Sequence, residues 1–194
     1  SFNSRPEFQR LQKRDTYMIE LLRKRKSVRN YLDKKIETET INKLLEAALL
    51  SPSSRGINPW EFIVVQESSI IRKLSEAKEH GSSFISAAPL VIAVVADSRK
   101  TDVWTEDCSI ASIIIQLEAE HLGLGSCWIH IRNRMYDGSK SAEQFVKELL
   151  EIPEQRSVEA IIAVGYPDEQ KEPYREEDLQ YSKVYMNRYG LQYR

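Results

Sequence analysis

Arg23, Lys24, Arg25, Lys26 and Arg29 form a cationic run broken by Ser27 and followed by Asn30 and Tyr31. That set suits a phosphate, since arginine offers paired planar donors, lysine a point charge and serine a directional hydroxyl. The same cations at a helix end would complement its macrodipole. From the tract alone the two readings weigh evenly. A nucleic-acid patch is a third reading, but the rest of the chain supplies no matching basic surface.

Two further segments have small-molecule character. Ser51-Pro52-Ser53-Ser54-Arg55-Gly56-Ile57-Asn58-Pro59-Trp60 combines small hydroxyl residues and a glycine, which leave backbone amides open, with prolines and a tryptophan that fix and cover the loop. An ordinary helix-to-strand connection with Trp60 in the core is the plainer alternative. Gly123-Leu124-Gly125-Ser126-Cys127-Trp128-Ile129-His130 joins a helix to a strand, but it lacks the third glycine of a dinucleotide fingerprint. Cys127 sits in an apolar strand and reads as core rather than nucleophile. His80 and His130 stand near no nucleophile motif, and His121 reads as a structural residue of a buried helix. No metal site is expected. With no acid, base or metal constellation evident, the difficult chemistry falls to an organic cofactor.

The elements that must position these segments follow from apolar spacing. Met18, Ile19, Leu21 and Leu22 form a helical stripe leading into the cations. Thr38 or Thr40 is expected to cap a helix that buries Ile41, Leu44, Leu45 and Ala48. Glu61–Val65 reads as a strand, and Ile70, Ile71 and Leu74 mark a short helix. The unbroken apolar run Leu90–Ala96 demands cover on both faces. A helix over Asp107–Leu122 is apolar on nearly every side, so a partner chain is a natural source of cover. A strand over Ser126–Ile129, a helix over Ala142–Leu150 and a buried strand over Ala160–Val164 complete the series. This alternation suggests a layered α/β domain and leaves strand direction open.

Composition narrows the class. The 194 residues carry 28 Lys plus Arg against 29 Asp plus Glu, a balance that excludes a polycationic coat or a polyacidic tail. Two cysteines exclude a disulfide framework and favour a cytoplasmic location. No apolar stretch approaches the ~20 residues of a membrane span, so no membrane association is expected. Three parts are expected: a polar extension over 1–15, one domain over 16–170, and a charged, tyrosine-rich segment over 171–194.

In this order and spacing, four pieces resemble the FMN-dependent nitroreductase family. They are Arg25-Lys26-Ser27-Val28-Arg29-Asn30-Tyr31, Ser51–Ser54 with Pro59-Trp60-Glu61-Phe62, Gly123–Ile129, and Ala163-Val164-Gly165-Tyr166-Pro167. The resemblance spans about Tyr17 to Lys171. It implies an α+β fold, with a central, mostly antiparallel sheet covered by helices, in a homodimer. It also implies one FMN in each of two clefts built from both subunits, with residues 171–194 wrapped around the partner.

By the same resemblance, Arg25, Lys26 and Ser27 hold the FMN phosphate and ribityl chain. Arg29 approaches the pyrimidine edge and tunes the flavin. Pro52, Ser53 and Ser54 lie along the ring from the other subunit. Gly125 and Ser126, continuing to Ile129, face the ring near its N5 edge. Lys171 matches a late basic residue at the phosphate, with Arg175 as a nearby substitute. Many family members carry Asn and Gln where this chain has Gly56 and Asn58, so polar contact there falls to Arg55, Asn58, backbone or water. The implied reaction passes hydride from NADH or NADPH through FMN to an electron-poor small molecule, a nitroaromatic or a quinone. The alternatives are an FMN-dependent dehalogenase, a flavin-cleaving or biosynthetic oxidase relative, and a non-catalytic flavin-binding protein.

Overall fold

The computed structural model describes residues 17–193, and the expected polar extension over 1–15 lies outside them. The described chain divides into two compact units, one over 25–170 and one in which the segment ending at Lys24 joins the segment beginning at Lys171.

The larger unit is built on a four-stranded sheet. Its strands are β1 (Trp60–Val65), β2 (Leu90–Ala96), β3 (Gly125–His130) and β4 (Ser157–Gly165), in the order β1-β2-β4-β3. Every neighbouring pair is antiparallel. The fold is therefore α+β, as the family resemblance implies, rather than the layered α/β arrangement that alternation alone suggests. β2 and β4 are central and buried on both faces, and this explains their lack of polar alternation.

Four helices of this unit cover the sheet: α2 (Thr38–Leu49), α3 (Ser68–Leu74), α4 (Trp104–His121) and α5 (Ala142–Leu149), with α1 reserved for helical residues 17–24 of the small unit. Successive β2 residues divide between two cores, as period-two geometry requires. Val91, Ala93 and Val95 pack with Ile71, Leu74 and Val146 from α3 and α5. Ile92, Val94 and Ala96 pack with Leu44, Ala48, Ala111 and Ile115 from α2 and α4. α5 opens with a reciprocal capping box between Ser141 and Gln144. At α2 the expected threonine cap is absent: Glu37 is the N-cap residue, in extended backbone and without a side-chain bond, while Thr38 is already helical.

α4 departs from its expected burial. It turns Asp107, Cys108, Ser112 and Gln116 inward with Ala111, Ile115 and Ala119. Ile110 and Ile113 stay 39% and 37% exposed. His121 lies at the exposed end of the helix, not within its buried face.

In the small unit the Arg23 guanidinium donates to the Tyr174 carbonyl at 3.1 Å and meets the Glu176 carboxylate at 2.7 Å. Arg23 is thus structural, and the cationic tract divides between the two units after Lys24. Arg175 pairs with Glu177 at 2.7 Å. No helix among the described residues is long and apolar enough to cross a membrane.

Candidate functional site

The segment after Lys24 lies beside the start of β3. Ser27 bridges Ser126 in parallel, and the Val28 amide donates to the Ser126 carbonyl at 2.9 Å. That approach explains Gly125: a Cβ there would stand 2.7 Å from the Val28 side chain, a distance real side chains do not tolerate. Arg25, Lys26 and Ser27 are half-buried along this path, while Arg29 and Asn30 are exposed.

The turn after β4 fastens the same segment from its other side. Leu32 donates to the Tyr166 carbonyl and Asp168 to the Asn30 carbonyl, each at 2.9 Å. The Glu169 Oε1 accepts the amides of Arg29 at 2.5 Å and Asn30 at 3.2 Å. Tyr31 is buried, and its hydroxyl donates to the Val28 carbonyl at 2.6 Å. Burial is the first cause that pushes this phenol far above its ordinary range. Gly165 leaves room for the Tyr31 ring, which an added Cβ would approach to 2.7 Å. Arg29 extends over Phe84, with its Cζ 5.7 Å from the ring centroid. Three of the four family-like segments, around Ser27, Ser126 and Tyr166, thus meet in one place.

Gly125, Ser126 and Ile129 are buried within the single chain, and Ile129 belongs to the core beneath α3 and α5. Ser126 bonds β4 on one side and the Val28 segment on the other. At the far end of β3, His130 stacks on Trp128 at 5.2 Å. Its imidazole is held below its ordinary range by burial, then by Arg134, Lys78 and Arg132.

The Pro52–Asn58 loop is anchored at the first turns of α4. The Ser54 amide donates to Asp107 Oδ1 at 2.8 Å. Ser53 and Asn58 clamp each other: the serine hydroxyl donates to the Asn58 side-chain oxygen at 2.7 Å and accepts the Asn58 amide at 2.8 Å. The Asn58 side-chain oxygen is therefore engaged inside the loop, and its NH2 has no acceptor among the described residues. Arg55 carries φ 55°, and its guanidinium lies 4.0 Å from Asp102. Lys171 is exposed at the start of the second segment of the small unit.

Asp107, Glu169 and Phe84 were not candidates by sequence. Their partners lie 53, 140 and 55 positions away, and no local spacing announces them. A cleft of about 540 Å³ opens near Lys78, His80, Ser83 and Tyr136, and none of the candidate residues lines it.

The nitroreductase family model matches residues 22–81 and 72–166. A protein of Archaeoglobus fulgidus with an NADH dehydrogenase/NAD(P)H nitroreductase assignment is 35% identical over 164 residues, which span 82% of this chain and 91% of that protein. A similarly assigned protein of Methanothermobacter thermautotrophicus is 36% identical, with 78% of each chain covered. Among solved structures, an FMN-dependent nitroreductase from Clostridium difficile R20291 superposes with a TM-score of 0.87 at 49% identity, covering 88% of this chain and 99% of that one.

Proposed function

The chain belongs to the nitroreductase family, and on that premise we propose that it is an FMN-dependent oxidoreductase. It takes hydride from NADH or NADPH and delivers it to an electron-poor small molecule such as a quinone or nitroaromatic. The observation that carries this reading is the Arg25–Arg29 segment laid along the start of β3 and pinned by Ser126 and Glu169. Neither the half-buried Arg25 nor the exposed Arg29 has an ion-pair partner among the described residues. Two guanidinium groups without ion pairs, beside a lysine and a serine, fit a phosphate joined to an electron-rich ring.

Bound FMN supplies the redox chemistry. Arg25, Lys26 and Ser27 would hold its phosphate and ribityl chain. Arg29 stands at the pyrimidine edge, where a guanidinium stabilises negative charge gained on reduction. Gly125 and Ser126 carry the segment, and Ile129 fixes β3 in the core behind it. Pro52, Ser53 and Ser54, with Arg55 and Asn58, cover the ring from a second chain.

Geometry within one chain supports that division. The loop is tied to Asp107, whereas Leu124, next to Gly125, bonds the Ala119 carbonyl near the other end of α4. α4 rises about 18 Å from Asp107 to Ala119 at 1.5 Å per residue, so the two anchors lie toward opposite ends of one helix. A homodimer brings one end of each chain to the other. Ile110 and Ile113 outside, with Asp107, Ser112 and Gln116 inside, support a partner against α4. In the small unit, Met186, Leu191 and the 89% exposed Tyr189 support a segment that wraps the partner. Two buried free cysteines agree with a cytoplasmic location.

The test is direct. Purified protein should be yellow, release about one FMN per chain on heating, and run as a dimer by light scattering. NADH or NADPH should bleach the flavin, and a quinone should restore it. A protein that remains colourless with added FMN rejects the reading. Flavin that is bound but never bleached favours the non-catalytic alternative.

A further inference from the structure

Asp107 occupies an expensive position. It is 2% exposed, and a buried carboxyl oxygen without a partner is costly to the fold. Oδ1 accepts the Ser54 amide, while Oδ2 has no partner among the described residues. An apolar side chain would suit the surrounding core of Cys108, Ala111 and Ile115 better on packing alone. What Asp107 supplies instead is a single acceptor aimed at the loop.

That loop needs holding. Arg55, Gly56 and Asn58 adopt φ of 55°, 64° and 50°, a left-handed cluster in which Arg55 is the residue least suited to that backbone. Ser53, immediately before the turn, is extended at φ −139° and ψ 158°. Two clamps oppose relaxation. The Ser53–Asn58 pair closes the loop on itself, and among the described residues the Ser54–Asp107 hydrogen bond ties it to a long helix that is packed on the sheet.

We infer that Asp107 is a positioning residue for the flavin, fixing the Pro52–Ser54 backbone through the Ser54 amide so that the loop meets the ring in one conformation. The inference rests on the FMN reading above. Asp107 acts through Ser54 and touches no reacting atom.

Apoprotein is titrated with FMN while flavin fluorescence and the visible band are followed, and the thermal unfolding of each apoprotein is recorded separately. Asp107→Ala should weaken FMN binding about tenfold, the loss of one strong hydrogen bond, and alter the fine structure of the long-wavelength band. Asp107→Asn keeps an oxygen acceptor and should stay within about threefold of wild type. Ser54→Pro deletes the amide donor from the other side of the bond, and the extended Ser53 already has the backbone a following proline requires. It should reproduce the Asp107→Ala loss, and the double variant should lose little more than either single one. Ser112→Ala removes a buried hydroxyl elsewhere on α4 that has no partner among the described residues, and should hold or raise unfolding temperature and leave FMN affinity unchanged.

Asp107→Ala with wild-type affinity and spectrum overturns the inference. So does a Ser112→Ala loss as large as that of Asp107→Ala, since any core defect would then suffice. If Asp107→Ala does not fold, Ser54→Pro and Asp107→Asn decide: an unaffected Ser54→Pro, or Asp107→Asn as weak as Ser54→Pro, overturns it. Wild-type protein that binds no FMN rejects the FMN reading itself.

Discussion

Glu169 meets Arg29 through the backbone: its carboxylate accepts the Arg29 amide at 2.5 Å and the neighbouring Asn30 amide at 3.2 Å. The guanidinium meanwhile lies over the Phe84 ring. Glu169→Ala should free both amides, loosen the segment and weaken FMN binding roughly five- to tenfold. Glu169→Gln retains an accepting oxygen and should remain near wild type. Fluorescence titration of the two variants checks this, and equal losses would mean that charge rather than acceptance is what matters.

Gly125→Ala places a methyl 2.7 Å from Val28 carbons. The segment must move or strain, at about 1–3 kcal/mol. Both unfolding temperature and FMN retention should fall. Val28→Gly in the same chain removes the Cβ as well as both methyls that the new methyl meets and should recover part of the FMN retention, and a double variant no better than Gly125→Ala would refute the steric cause.

Arg29 and Arg25 should separate by readout. Arg29→Ala should lower the flavin midpoint potential by about 30 mV, equivalent to about 1.4 kcal/mol for a two-electron couple, and slow reduction by NADH or NADPH. Arg25→Ala should weaken FMN retention with a smaller change in potential. Redox titration at matched FMN occupancy is the measurement, and an unchanged potential in Arg29→Ala removes its assigned role.

Glu159 supplies a pH test. Its buried carboxyl is pushed up by desolvation, against lowering by Ser109, whose hydroxyl lies 3.1 Å from Oε1, and by Trp128 and Arg132. A raised carboxyl pKa means the folded chain keeps a proton that the unfolded chain releases. The stabilisation is then full below the ordinary glutamate range and is lost as pH rises through the folded-state value. Glu159→Gln is neutral throughout, so its advantage in unfolding temperature should be least at acid pH and grow toward alkaline pH. Calorimetry across that range tests the sign, and an advantage that shrinks with rising pH overturns it.

Much of the fold was legible because burial leaves a mark on residue type. Leu90–Ala96 announced a strand covered on both faces, and Ile41, Leu44 and Ala48 announced the buried stripe of α2. Strand direction was not legible from apolar runs, since a central strand reads alike in either sense; the family-like segments supplied it. The Glu37 cap escaped because two threonines nearby are better cap formers in isolation. The inward Asp107 and outward Ile110 of α4 escaped because periodicity places residues on a face without saying which face a neighbour covers. Cationic and glycine segments stood out by composition. The carboxylates that hold them did not, since Glu169 and Asp107 act on residues far away in sequence.

The 140 positions between Arg29 and Glu169 also set an order of events during synthesis. At about 5–20 residues per second the ribosome needs roughly 7–28 s to travel between them. For about the first two-thirds of that interval the cationic segment lacks β3 beside it, and throughout it lacks the turn after β4 behind it. Tyr31 waits nearly as long, over 132 positions, for the Ala163 carbonyl that its hydroxyl meets. The Arg25–Arg29 segment is thus translated well before the turn that fastens it, and a ribosome stalled before Glu169 should carry a nascent chain in which the Arg29 and Asn30 amides still lack their carboxylate. Flavin binding to the folded chain then holds it against unfolding by an amount that rises only with the logarithm of the free flavin concentration.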